Sequence, residues 1–233
     1  MRKKFIVFIL TLVMVILVVS IQKNKEVQKI KEDVFASPRQ LGEFILYGSK
    51  DNKFFYYKPV EDMNNIQKIS RNLYEKINFM PIRDKKIFDY SSKEIYVVEN
   101  KGKTEDETYQ HVQIQYHKDG GNFIIFSAYE VRNFKDNFEN LKEQYIKQKE
   151  DLFGNEVEIL KLKDDMSYIH FKNTTCESLT YMYYKYNLDD SITLVYTVGD
   201  EILTYKEGIL YHIAFNIEIN EDVLVKMLNT FIR

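Results

Sequence analysis

The sequence predicts an α+β fold: a curved, mostly antiparallel sheet with flanking amphipathic helices, preceded by one N-terminal transmembrane helix. Three observations carry this expectation. Residues 5–21 form an uncharged apolar run. From residue 41 onward, short aromatic and β-branched runs recur with turn residues between them, as successive hairpins require. Other segments repeat apolar residues at helical spacing, and helices set among hairpins belong to α+β folds rather than alternating α/β ones.

The apolar run is 17 residues long and is interrupted only by Thr11 and Ser20. At about 1.5 Å per residue it spans roughly 26 Å, the short end for a hydrocarbon core about 30 Å thick. A signal-anchor is the leading reading, and a secretory signal cleaved after the small pair Val18 and Ser20 is the alternative. The sole cysteine, Cys176, lies far from the run, which excludes a lipidated N-terminus. Arg2, Lys3 and Lys4 favour a cytoplasmic tail at residues 1–4, although Lys23, Lys25, Lys29 and Lys31 weaken the bias. The expected address is the cell membrane, crossed once, with the lipid bilayer as partner of residues 5–21 and the remainder extracellular. Cleavage would instead leave a secreted protein.

Residues 22–40 read as a polar helical stalk and linker, with Val27, Ile30 and Val34 at helical spacing and a break at Pro38. Residues 41–233 then form the extracytoplasmic domain, long enough to bury a core of its own. They hold 25 basic and 32 acidic residues, a net charge of −7. Such a domain is a poor ligand for phosphate backbones, so nucleic acid is excluded as a partner. With one cysteine there is no internal disulfide, and Cys176 reads as an ordinary packed residue.

Within this domain, residues 43–47 and 54–58 read as a hairpin. Residues 62–77 place Ile66, Ile69, Leu73 and Ile77 on one helical stripe, ended by Phe79-Met80-Pro81. Residues 94–98 are a strand. Residues 109–117 alternate, with Val112, Ile114 and Tyr116 on one face and His111, Gln113, Gln115 and His117 on the other, which predicts a strand with one wet face. Asp119-Gly120-Gly121 turns it into a partner at 123–131. Residues 135–153 form a helix with Phe138, Leu141, Tyr145 and Leu152 on one face, stopped by Gly154.

Strands follow at 156–162, 167–172, 179–186, 191–198 and 202–205, and Lys206-Glu207-Gly208 turns the last into 209–216. A closing helix is signed by Asn220 as cap and by Glu221 and Asp222 in its first turn. Its buried face is Val223, Leu224, Met227, Leu228 and Phe231.

The helix running into Phe79-Met80-Pro81, the strand holding Val112, Ile114 and Tyr116, and the hairpin Leu203-Thr-Tyr-Lys-Glu-Gly-Ile-Leu-Tyr211 before a terminal helix resemble a family of bacterial extracytoplasmic domains of unknown function. Its members sit at the C-terminal ends of anchored, sporulation-associated or anti-sigma-like membrane proteins in Gram-positive bacteria. Members often carry Trp where this chain has Tyr205. More distantly the layout is similar to the half-barrel of lipoprotein carriers. The resemblance implies sensing or partner binding at the envelope, not chemistry.

Candidate chemistry is sparse. His111 and His117 share a strand face but lie roughly 20 Å apart at about 3.3 Å per residue, too far to hold one metal ion. His170 and His212 fall in separate strands and would need the topology to bring them to Cys176. Glu105-Asp106-Glu107 and Asp189-Asp190 lack the spacing of a calcium loop. No phosphate loop, nucleophile elbow or zinc-protease helix appears, so no catalytic residue, metal or cofactor is expected. Asn173-Thr174-Thr175 fits a glycosylation pattern that a bacterial chain leaves unused.

The richest local feature is Leu179-Thr-Tyr-Met-Tyr-Tyr-Lys-Tyr186. Its aromatic rings on both faces read either as a covered central strand or as a platform. In the second case Tyr181, Tyr183, Tyr184 and Tyr186 would stack on a glycan or pack a lipid tail. The leading expectation is a non-catalytic domain that binds a protein partner or envelope component. A lipid- or glycan-binding module is the alternative, and an enzyme ranks last.

Overall fold

The computed structural model describes residues 53–63, 69–101, 109–131, 134–161, 166–174, 181–189 and 192–233. The expected transmembrane helix, the stalk, the first hairpin arm at 43–47, Glu105-Asp106-Glu107 and Cys176 lie outside them. Among the described residues no helix is long and apolar enough to cross a membrane.

The strands are β1 (Lys53–Tyr56), β2 (Ser92–Lys101), β3 (Tyr109–His117), β4 (Phe123–Glu130), β5 (Val157–Lys161), β6 (Ser167–Phe171), β7 (Tyr181–Tyr186), β8 (Ile192–Thr197), β9 (Asp200–Lys206) and β10 (Ile209–Phe215). The helices are α1 (Arg71–Lys76), α2 (Lys135–Gln148) and α3 (Glu221–Phe231). Eight strands form one sheet in the order β1-β2-β3-β4-β10-β9-β6-β5, and β7 pairs only with β8. Every pairing is antiparallel. The fold is therefore α+β and mainly antiparallel, as expected.

Side-chain alternation gives the large sheet two faces. On the first, Ile95, Val97, Val112, Ile114, Tyr116, Ile124, Phe126, Tyr211 and Ile213 pack with Leu73 of α1 and with Leu224, Met227, Leu228 and Phe231 of α3. The stripe read for the closing helix is this contact, and Asn220 caps it by accepting from the Asp222 N–H at 2.8 Å. The second face carries α2 at one end, where Phe138 and Tyr145 meet Val157, Ile169 and Phe171. At its other end it carries the β7–β8 ribbon.

Three expectations need correction. The helix read over 62–77 is, among the described residues, only α1. Ser70 is extended and its Oγ accepts from the Leu73 N–H, so the side chain starts a helix where the apolar stripe would have continued one. The helix read to residue 153 stops at Gln148, with Lys149 left-handed at φ 58°. There the Asp151 carboxylate gathers the Phe153 and Asn155 N–H groups into a turn, and Leu152 points to solvent at 91% exposure. Finally, the face of β3 read as wet is covered: Gln113 and Gln115 are each 1% exposed and His111 is 9% exposed.

The remaining strands lie close to their expected ends, with β2 running a few residues further in both directions than the expected 94–98. One arm of the first expected hairpin is β1, which pairs with β2 at the sheet edge. The β3–β4 turn needs its glycines, since Gly120 and Gly121 sit at φ 92° and 89°. Gly199 serves a close approach instead: a Cβ there would lie 2.5 Å from the Phe215 carbonyl oxygen of β10.

Candidate functional site

The ribbon covers the polar face of β3 in an unusual way. The Tyr184 N–H donates to Gln113 Oε1 at 3.0 Å, and Gln115 Nε2 donates to the Tyr184 carbonyl at 2.7 Å. The Tyr186 N–H donates to Tyr96 Oη at 3.0 Å, and Gln113 Nε2 reaches the Met182 carbonyl at 3.5 Å. Residues 182, 184 and 186 alternate, so all these main-chain groups lie on one edge of β7. The ribbon stands on that edge. Side chains of the large sheet take the place of a neighbouring strand, and buried main-chain groups that would otherwise be costly find partners.

Apolar contacts brace it on both sides. Tyr184 and Ile192 pack with Tyr96 and Val98 on one flank, with Tyr186 and Leu194 against them. Tyr181 packs with Phe123, Ile125 and Ala214 on the other, with Tyr183 against them. Of the four tyrosines read as a platform, Tyr181 and Tyr184 are buried, and Tyr183 and Tyr186 are half-buried and keep part of their surface in solvent. All four pack where the ribbon meets the large sheet.

Beneath the ribbon lies a polar cluster. Tyr181 Oη is 3.0 Å from Ser127 Oγ and accepts from Gln113 Nε2 at 3.3 Å. The Tyr181 ring stands edge-on to His212, whose Nε2 is 2.7 Å from Glu201 Oε2. His111 stacks on Tyr129 with ring centroids 3.9 Å apart, and its Nδ1 is 3.3 Å from Tyr184 Oη. Burial, with a smaller contribution from His212, pushes the His111 imidazole down to about 3. Burial also lowers His117, against the pull of Glu94, and raises Tyr181 well above the ordinary phenol range.

Ser127, His212 and Glu201 are the residue types of an acyl-transfer triad, but nucleophilic catalysis needs the base to hold the nucleophile's proton. Ser127 Oγ is instead engaged by Tyr181 and Gln113 Nε2, and Ser127 is fully buried. Sequence reading missed this cluster, because residues 85 positions apart come together only through the β4–β10 register, where His212 faces Ser127.

The other histidine pair is separate. His170 faces Ile202 and therefore lies on the first face of the sheet, opposite His212. Its Nε2 is 3.2 Å from Asp200 Oδ2, and Asp200 Oδ1 accepts from the Asn173 N–H at 3.0 Å. Burial pushes the Asp200 carboxyl up, but these bonds outweigh it and hold the group below its ordinary value. Among the described residues no cluster of three or more His, Cys, Asp or Glu could hold a metal ion.

Beside the exposed Lys185 and Asp189, the ribbon presents three apolar side chains outward. Leu188 at its tip is fully exposed, Tyr196 is 61% exposed and Val198 is 40% exposed. Of the four terminal edges of the two sheets, that of β7 is seated on the large sheet, and the other three differ in how they are guarded. β1 begins with Lys53 and is followed by Lys58-Pro59. β5 carries Glu158 and Lys161, and its Val157 N–H donates to the Lys149 carbonyl beyond α2. β8 reads Ile-Thr-Leu-Val-Tyr-Thr, without a charge, proline or glycine. Charged residues, proline and covering elements are the usual means by which edge strands avoid pairing with other chains; β8 carries no charge or proline, and among the described residues it is buried at Ile192 but open at Tyr196.

Comparison with known proteins adds no relative: no family model matches the chain, and no curated protein or solved structure matches it significantly.

Proposed function

We propose that this protein is a non-catalytic, membrane-anchored extracytoplasmic binding domain, and that the β7–β8 ribbon is its recognition element for a protein partner. The anchor is residues 5–21, with residues 1–4 in the cytoplasm and the domain outside. The observation that carries the reading is the unguarded outer edge of β8 on a ribbon whose inner edge is fixed to the large sheet. A strand held this way offers main-chain donors and acceptors in extended geometry, the requirement for recognition by strand addition. The polar groups of the Ser127–His212–Glu201 cluster are bonded to one another or to their neighbours under the ribbon, which supports a structural role for them.

The test is site-specific photocrosslinking in cells that express the full chain. A photoreactive residue at Tyr196 is expected to give a discrete adduct with a protein, and one at Ile146, which is 54% exposed on α2, is expected to give none. Equal labelling from the two positions, or no adduct from Tyr196, counts against the ribbon as recognition element.

A further inference from the structure

We propose that the strand β8 accepts is the β8 of a second copy of this chain, giving a two-fold homodimer with a four-stranded sheet β7-β8-β8-β7 across the interface. This rests on the reading of the ribbon as recognition element and names its partner.

The register follows from hydrogen-bond alternation. Residues 182, 184 and 186 turn their main-chain groups toward the large sheet. The β7–β8 bonds therefore run through the alternate pairs Tyr181–Thr197, Tyr183–Val195 and Lys185–Thr193. On β8 this leaves residues 192, 194 and 196, and Val198 by continuation, facing outward. Ile192 is completely buried, so that end of the edge is closed, whereas Leu194 is half-buried and Tyr196 and Val198 are exposed. The open stretch is 194–198.

A two-fold axis through an antiparallel pair places like faces together, so each residue must oppose one an even number of positions away. Centred on the open stretch, Tyr196 faces Tyr196 of the second copy, and Leu194 faces Val198. These are aromatic and β-branched cross-strand pairs of the kind that stabilise sheets. Tyr196 already has Met182 as its neighbour on the β7 side, and the second copy supplies the neighbour on its other side.

The uncharged edge fits the same occupant. The open edge has no charge to attract a charged segment, and β8 is itself an uncharged strand of matching length. Two copies held in one membrane also meet at a high effective concentration. Their net charges of −7 oppose encounter, and salt screens that repulsion, so association is expected to strengthen as ionic strength rises. A partner recruited by charge would behave in the opposite way.

The full chain carrying Cys176→Ser and Tyr196→Cys, reconstituted in lipid nanodiscs that hold several copies, is treated with a short bismaleimide. Several-fold more cross-linked dimer is expected than from an Ile146→Cys control, with a yield that rises with salt and falls when Val198→Lys is added. Val198 is surface-exposed, so the charge enters without disturbing the core. Equal yields from the two cysteine positions, or a yield insensitive to Val198→Lys, overturn the homodimer. If Tyr196 photoadducts with a different protein persist while the self-cross-link is lacking, the homodimer fails and the ribbon reading stands. If neither adduct forms, both fail.

Discussion

On one face of β3, Val112, Ile114 and Tyr116 pack into the apolar core shared with α3, while on the other Gln113 and Gln115 are as deeply buried but meet the edge of another strand. The first face is held by area removed from water, a non-directional force that tolerates reshaping so long as volume is kept. The second is held by directed bonds to particular main-chain atoms, which specify where the ribbon stands. That difference teaches that the ribbon's position depends on a few side chains, and it can be broken separately from the core.

The largest effect is expected on the apolar face. Phe126→Ala removes a fully buried ring that meets Tyr116 and Phe231 and is expected to cost about 3–5 kcal/mol. Urea unfolding should show one cooperative loss, since this core ties α1 and α3 to the sheet.

On the polar face, Gln113→Leu keeps apolar volume but strips the acceptor from the Tyr184 N–H, with an expected cost of about 1–3 kcal/mol. Hydrogen exchange at Tyr184 should accelerate while the Ile114 amide in the large sheet stays protected. If both amides accelerate together, the two faces are one cooperative unit and the comparison fails.

Acid sharpens the same contrast. His111 is neutral in the folded chain because burial holds it near 3, and in the unfolded chain it titrates at its ordinary 6.5. The unfolded state therefore binds more protons below pH 6.5, and stability is full above that value and declines as pH falls toward 3. The slope approaches about 1.4 kcal/mol per pH unit. Denaturation midpoints measured at pH 7, 6, 5 and 4 should fall less steeply in His111→Gln than in the parent chain. Identical slopes would mean that the imidazole is not shielded by the ribbon.

The smallest effect belongs to the helix end on the apolar side. Asn220→Ala removes the acceptor of the Asp222 N–H and is expected to cost about 1 kcal/mol, seen as a small shift in midpoint with no change in Tyr184 exchange.

Much of this fold is legible in the order of residues alone, and the reason is local. The alternation of residues 109–117 and the Gly120-Gly121 turn mark β3 and its hairpin, and Asn220 with Glu221 and Asp222 marks the start of α3. The failures share a cause too. Ser70 and Asp151 each use a short polar side chain to reorganise nearby N–H groups, so an apolar stripe continues in sequence past the point where the helix stops. The ribbon's seat escapes a sequence reading because glutamine on a strand looks the same whether it faces water or a main-chain edge. The Ser127–His212–Glu201 cluster is invisible there because it exists only in the register of β4, β10 and β9.

The sequence by itself determined the strand and helix periods, most of the turns, and the acidic character of residues 41–233, because these depend on neighbours a few positions away. Tertiary structure alone decided that β7 and β8 leave the large sheet, that Tyr181 and Tyr184 are buried where the ribbon meets it, and that among the described strands β8 carries an uncharged edge open at Tyr196. The physical reason is that a main-chain hydrogen bond carries no residue label. Which edge is satisfied, by which side chain, and which is left open is settled only when distant strands are set against one another.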